Sequence, residues 1–284
     1  MEIINRRQRM ASIARKLRRE TKSVGFVATM GALHEGHLTL VKEARKMCDV
    51  VIVSIFVNPA QFSEGEDFEK YPRDLTADAS LLAEYEVDYV FAPETQEIYG
   101  DGFSTYVYVE SLTETLEGAS RPGHFRGVAT VVTILFNSIR PDFAFFGRKD
   151  AQQVALVKRL TKDLGFETEI VVMPIVREES GLAMSSRNAY LTTEERDKAS
   201  IIYQALREAK IAFKNGERHA SKLTEIVRQK IESEPLARID YVAAVNGITL
   251  EPIEKIDDSG ILLAVAVRFG KIRLIDNIIL NRGQ

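Results

Sequence analysis

Cross-links, long apolar stretches and surplus charge are all scarce in this sequence, and each shortage closes off a class of answers. One cysteine, Cys48, in 284 residues cannot close an internal disulfide, which excludes a disulfide scaffold and leads to the expectation of a reducing, cytoplasmic setting. No apolar run approaches the roughly 18 residues of a membrane span. The basic start, Arg6 to Arg19, lacks an apolar signal core and is bracketed by Glu2 and Glu20; it reads as a solvated helix face, not a transit peptide or an RNA-binding arm. A formal net charge of -3 offers no global pull on nucleic acid or anionic lipid, so an anionic ligand must be met by local positive groups in a pocket. Internal repeats and low-complexity segments are also missing.

What is present is an ordinary globular mixture, 45% hydrophobic and 28% charged, able to bury a sizeable core. Short β-rich apolar runs fall at 24–28, 50–57, 87–91, 143–146 and 170–176, with helical spacing at 36–48, 74–86 and 150–164 between them. Cys48 lies in the apolar stripe Leu40, Val41, Ala44 and Met47 of the 36–48 segment and is expected to be core filler. Continuously hydrophobic strands alternating with helices predict an α/β domain: a Rossmann-like, doubly wound parallel sheet covered on both faces. Ligands of such sheets bind beyond the carboxyl ends of the strands. After Arg187 come long helical patterns at 193–214 and 221–233, then β-rich segments at 239–245, 261–267 and 272–275. These predict a smaller α+β domain, with 1–176 as the first domain and 177–284 as the second.

The candidate chemistry follows predicted strands. In TMGALHEGHLTL, residues 29–40, two of the chain's four histidines stand three apart where strand gives way to helix. Gly31 and Gly36 have the spacing of a phosphate-cradling loop, but His37 and Leu38 replace the lysine and hydroxyl of a Walker sequence. Backbone N–H groups at the helix start, together with His34 and His37, are expected to meet phosphate oxygens. Asn58 and Gln61, after the second strand, supply uncharged amides for hydroxyls or carboxylates. Tyr71 precedes a helix whose Asp78 is either a solvated charge or a magnesium ligand. Arg121, His124 and Arg126 lie among glycines, and this loop either clamps an anion or is simply solvated. Lys149 can meet a phosphate; Asp150 can cap a helix or accept from a ribose hydroxyl, and Gln153 shares its face. Ser185, Ser186 and Arg187 suit a mobile phosphate clip or form a serine-rich linker.

Taken together, TMGALHEGH, SIFVNPAQF, DFEKYPRD, LEGASRPGHFRGV, FFGRKDAQQ, IVREESGLAMSSRN and RLIDN resemble the pantothenate synthetases (pantoate–β-alanine ligases) along essentially the full chain. The His-containing loop is similar to the HIGH element of adenylate-forming synthetases. The resemblance implies that ATP and pantoate give pantoyl adenylate and pyrophosphate, after which the β-alanine amine displaces AMP. It also implies an ATP site lined by Met30, Gly31, His34, Gly36 and His37, completed by Gly147, Lys149, Asp150, Val176, Met184, Ser185, Ser186 and Arg187. His37, His34, Lys149 and Arg187 would be catalytic. Asn58, Gln61, Gln153, Arg121 and Tyr71 would contact pantoate or β-alanine, and Mg²⁺ would bridge phosphates near Asp78. A homodimer with a C-terminal lid is the implied assembly. Arg148 stands where many members have Glu, and Ala28 where they have Pro, so no role of that acidic position carries over.

Overall fold

A computed structural model of the chain describes residues 1–63, 65–66, 68–256 and 260–281. Asp67, the first residue of DFEKYPRD, lies outside the described residues. The chain divides into two compact units, Met1–Arg148 with Leu156–Pro174, and Lys149–Ala155 with Ile175–Gln284. The division in the chain falls two residues before the one read from sequence. The short stretch 149–155 groups with the second unit, where Asn277 Nδ2 donates to the Lys149 carbonyl at 2.9 Å.

The first unit is built on a six-stranded parallel sheet: β1 (Glu2–Ile4), β2 (Val24–Thr29), β3 (Val50–Ile55), β4 (Tyr89–Phe91), β5 (Phe143–Gly147) and β6 (Glu169–Met173), in the order β1-β4-β3-β2-β5-β6. From β2 the chain winds through β3 to β4 on one side, then returns to place β5 against the other side of β2. That reversal is the topological switch point, and ligands of open α/β sheets bind at the carboxyl ends there. Thr29 and Gly147 end the two strands that flank it. The helices are α1 (Arg7–Arg19), α2 (Glu35–Met47), α3 (Leu75–Ala83), α4 (Thr95–Ile98), α5 (Glu117–Ser120), α6 (His124–Ile139) and α7 (Ala151–Asp163), the last beginning in the second unit.

Val27, Val51 and Val53 of the central strands meet Leu38, Val41 and Ala44 of α2 in a buried cluster. Cys48 belongs to it, and burial pushes its thiol up to about 11, so it is an inert packing group. Met47 does not complete the stripe: it is exposed. Strand β1 escapes the sequence pattern because three residues carry no period, and it exists through pairing with β4.

In the second unit, the single helix expected over 193–214 is two, α8 (Thr193–Lys198) and α9 (Ile201–Lys214). Tight bonds from Ser200 N–H to Asp197 O and from Ile202 N–H to Ala199 O wind the join too closely for a continuous α-helix. With α10 (Ala220–Glu232) they supply Leu206, Leu223 and Val227 to a core shared with the antiparallel sheet β7 (Ala237–Val245), β8 (Ile261–Phe269) and β9 (Ile272–Leu280).

Candidate active site

The turn after β2 is tied down amide by amide. Thr29 Oγ1 accepts the Gly31 N–H at 3.2 Å, and the Asp78 carboxylate accepts those of Ala32 and Leu33 at 3.0 and 2.9 Å. His37 Nδ1 accepts the His34 N–H at 3.4 Å, and His34 Nδ1 accepts that of Gly36 at 3.1 Å. Gly31 and Ala32 both have left-handed φ, +82° and +51°. A Cβ on Gly31 would also come within 2.9 Å of Asp78 Oδ2, so glycine is required twice over. Five N–H groups of the turn, those of Gly31, Ala32, Leu33, His34 and Gly36, are thus taken by side chains of the protein.

Each Nδ1 accepts a backbone N–H, so each neutral ring carries its proton on Nε2. The rings lie 4.1 Å apart between centroids at the first turn of α2, where the helix dipole favours a negative ligand. The two rings therefore share one arrangement at one helix mouth, each with its Nδ1 turned to the backbone.

Asp78 is neither exposed nor solvated. It is 7% exposed, near the start of α3, and both oxygens are committed to the turn. Among the described residues no group of three or more His, Cys, Asp or Glu is arranged to hold a metal. Asp78 thus anchors the backbone of the turn through both carboxylate oxygens.

The second platform is the 3-10 turn Pro59–Gln61. Asn58 is fully buried, and its Nδ2 donates to Gln61 Oε1 at 2.9 Å and to Gly127 O at 3.1 Å. Its Oδ1 accepts from the Ala60 N–H at 3.3 Å and from the Tyr99 hydroxyl at 2.7 Å. Two donor and two acceptor contacts engage the whole amide, so Asn58 positions a neighbour. That neighbour is Gln61: with Oε1 taken, its Nε2 amide is the end left to donate. The Gln61 carbonyl is held by His124 Nδ1 at 2.7 Å and by Arg121 Nη2 at 3.2 Å.

Arg121 does clamp a carboxylate, but it is that of Glu66. Nε and Nη2 reach the two Glu66 oxygens at 2.7 and 2.9 Å. Burial pushes the Glu66 carboxyl up, yet the fork of Arg121 outweighs it and leaves the group below its ordinary range. The carboxylate that Arg121 of this loop holds is thus one of the protein's own. Tyr71 is buried with its ring edge on Phe62.

His124 completes this cluster. Because Nδ1 faces a carbonyl and Nε2 faces the Arg121 Nη1 at 3.1 Å, the ring is neutral with its proton on Nδ1. Burial, aided by the adjacent guanidinium, holds its pKa down at about 4. An unfolded histidine titrates near 6.5. Between those values the unfolded chain binds the extra proton, so stability is full above pH 6.5 and is lost as pH falls toward 4, by on the order of 3 kcal/mol. Melting temperatures should therefore drop across that interval, and His124→Asn should flatten the slope; an unchanged slope would remove His124 as its source.

In the second unit, Lys149 and Asp150 sit in the 3-10 turn Arg148–Asp150, their charges 3.9 Å apart, and Gln153 follows in the first turn of α7. Residues 176–184 form a tight hairpin: Arg177 bridges Ala183, Met184 N–H donates to Val176 O at 3.0 Å, and Gly181 turns at φ +93°. Ser185 Oγ then accepts the Arg187 N–H at 3.3 Å and starts the 3-10 turn Ser186–Tyr190. Asn188 braces the whole, donating to Glu178 Oε1 at 2.8 Å and to Ala183 O at 3.1 Å. The segment read as a mobile phosphate clip or a serine-rich linker is the start of a 3-10 turn that follows this hairpin.

Sequence reasoning missed the residues behind it. Arg177 forms a two-pronged pair with Asp276, at 2.6 and 2.9 Å, and lies flat on Tyr203 at 3.7 Å. Their only prior signal was membership of the IVREESGLAMSSRN and RLIDN stretches, which carry no local pattern linking positions 99 residues apart.

The family model described as pantoate-beta-alanine ligase matches residues 2–279. A pantothenate synthetase of Heliobacterium modesticaldum is 52% identical over 281 residues, covering 99% of this chain and all of the relative. One from Pelotomaculum thermopropionicum is 51% identical over 282 residues, with 99% and 100% covered. Among solved structures, a pantothenate synthetase of Thermus thermophilus is 45% identical with a TM-score of 0.94, covering 99% of this chain and 100% of that one. The pantoate-beta-alanine ligase of Francisella tularensis, complexed with beta-gamma ATP and beta-alanine, is 38% identical with a TM-score of 0.81, covering 98% and 97%.

Proposed function

The chain belongs to the pantoate–beta-alanine ligase family, and from that membership we propose how its own residues carry the reaction. It is an ATP-dependent carbon–nitrogen ligase that joins pantoate to β-alanine through a pantoyl adenylate, releasing pyrophosphate and then AMP. In the first step the pantoate carboxylate attacks the α-phosphorus and the bond to pyrophosphate breaks. In the second the β-alanine amine attacks the activated carbonyl carbon and AMP leaves with the electron pair.

Both steps are limited by charge and placement more than by covalent help from side chains. The Nε2–H groups of His34 and His37 are proposed to donate to phosphate oxygens, with Met30, Gly31 and Gly36 shaping the approach. The observation that carries this reading is the reciprocal Nδ1 capping, which supports one tautomer for both rings at the helix mouth. Gln61, aimed by Asn58 and held at its carbonyl, is proposed to donate from Nε2 to pantoate and to lie near β-alanine. Gln153 is proposed on pantoate and Tyr71 near the substrates. Gly147, Lys149, Asp150, Val176, Met184, Ser185, Ser186 and Arg187 are proposed on the nucleotide, with Lys149 and Arg187 countering phosphate charge.

Magnesium is proposed to arrive with ATP, held by the phosphates, since the described residues offer no cage of their own. A cytoplasmic homodimer is proposed as the working form. No described helix is long and apolar enough to cross a membrane. The stretch Ser104–Val109, rich in β-formers and with Tyr106 and Tyr108 exposed, lies outside both sheets and is proposed to pair with a second copy.

Isotope exchange between pyrophosphate and ATP tests the adenylate route. Exchange should require pantoate and proceed without β-alanine, and β-alanine should then release free AMP with pantothenate. Formation of ADP, or exchange that depends on β-alanine, would reject it. Retention of AMP on the product would identify a nucleotidyltransferase sharing the histidine loop.

A further inference from the structure

Two consecutive residues of β9 lie behind the stretches assigned to the nucleotide in the second unit, and both are withdrawn from solvent. Asp276 and Asn277 are each 3% exposed. Strand alternation sends their side chains to different targets. Asp276 takes the fork of Arg177 at the base of the 176–184 hairpin, and Asn277 Nδ2 donates to the Lys149 carbonyl at 2.9 Å. Asp276 Oδ1 also accepts the Asn277 N–H at 2.7 Å, so the two placements are tied together.

The Arg177 guanidinium is held by two prongs on Asp276, by Nη1 on the Gly181 carbonyl at 3.1 Å, and by its face on Tyr203. Tyr203 in turn fills the space beside Gly181, where a Cβ would come within 2.6 Å of the ring. A buried ion pair gives little net stability over apolar residues of the same volume. What it does supply is direction, because a planar fork tolerates one orientation. The hairpin so oriented leads directly into Met184–Arg187, and the carbonyl held by Asn277 belongs to Lys149 itself.

We propose that Asp276 and Asn277 are positioning residues that hold the Met184–Arg187 segment and Lys149 in the geometry that binds ATP. This rests on the assignment of Lys149 and Arg187 to the nucleotide, and the test separates the two. Loss of one aimed hydrogen bond in Asn277→Ala should raise KM for MgATP about tenfold, leaving KM for pantoate unchanged. Because Asn277 acts through Lys149, the double variant Lys149→Ala/Asn277→Ala should be no worse than Lys149→Ala alone. Asp276→Asn, of the same shape but without the charge, should also raise KM for MgATP selectively.

Should Asn277→Ala fail to fold, Asn277→Asp keeps the volume while turning the donor into an acceptor, and the same readouts apply. Effects that multiply in the double variant, or lowered melting temperatures with both KM values unmoved, would overturn the proposal while a damaged Lys149→Ala kept the nucleotide assignment intact. A Lys149→Ala enzyme of normal ATP affinity would instead reject that assignment and the proposal with it.

Discussion

Replacing His37 with alanine should lower kcat by about two orders of magnitude or more, the usual loss when one aimed donor to a developing charge is removed, with the fold retained. Fold retention follows from magnitudes. The cap that His37 makes is a 3.4 Å bond from the His34 N–H, and even a good cap contributes about 0.5–2 kcal/mol against a typical total of about 5–15 kcal/mol. The Nε2–H, by contrast, is proposed to act where charge shifts between phosphate oxygens.

The two nitrogens can be separated by substitution, since an asparagine oxygen falls near the position of Nδ1 and a glutamine amide near that of Nε2. His37→Asn should keep the melting temperature and remain slow. His37→Gln should recover part of the rate through its amide donor. The reverse pattern, with asparagine restoring turnover, would mean that the histidine serves only to shape the turn.

Much of the first unit was legible because its strands are continuous apolar runs separated by amphipathic segments; β2, β3 and β5 and helices α2 and α7 fall within a residue or two of the predicted ranges. The pairing that makes β1 a strand, or that splits 193–214 in two, depends on groups distant in sequence or on local winding that leaves no period. The same divide runs through the site. His34 and His37 announce themselves by type and place. That their Nδ1 atoms accept backbone N–H groups of the turn is a matter of folded geometry that residue type does not announce.

Asn58, Arg121 and Asp78 read as ligands by type, and the fold engages each of them internally: on Gln61, on Glu66, and on the amides of Ala32 and Leu33. Residue type tells what a side chain can bind, and only packing tells whether the partner is internal. The converse failure is Asp276, given no role of its own within RLIDN, which proves to be the buried mate of Arg177.

Gly127→Ala is the substitution whose sign runs against propensity. Alanine in a helix interior ordinarily gains up to about 1 kcal/mol over glycine, and Gly127 is in the first turn of α6. Its added Cβ, however, would lie 2.0 Å from the Ala60 carbonyl oxygen, 2.4 Å from the carbonyl carbon and 2.8 Å from the Gln61 nitrogen. Those are backbone atoms and cannot rotate aside, so the Asn58–Gln61 turn must move off the helix. The same movement stretches the Asn58 Nδ2 bond to the Gly127 carbonyl, now 3.1 Å, which fixes the amide that aims Gln61.

Overpacking of this kind costs about 1–3 kcal/mol or more, enough to reverse the propensity gain. Displacement of an aiming residue by about an ångström can cost roughly a hundredfold in rate. Gly127→Ala should therefore melt earlier and lose about that factor in kcat/KM for pantoate, while ATP affinity changes little. Gly247→Ala, where a Cβ meets open space, should leave both measurements near wild type. Normal pantoate kinetics in Gly127→Ala would show that the turn can shift without consequence, and the assignment of Gln61 to pantoate would fall with it.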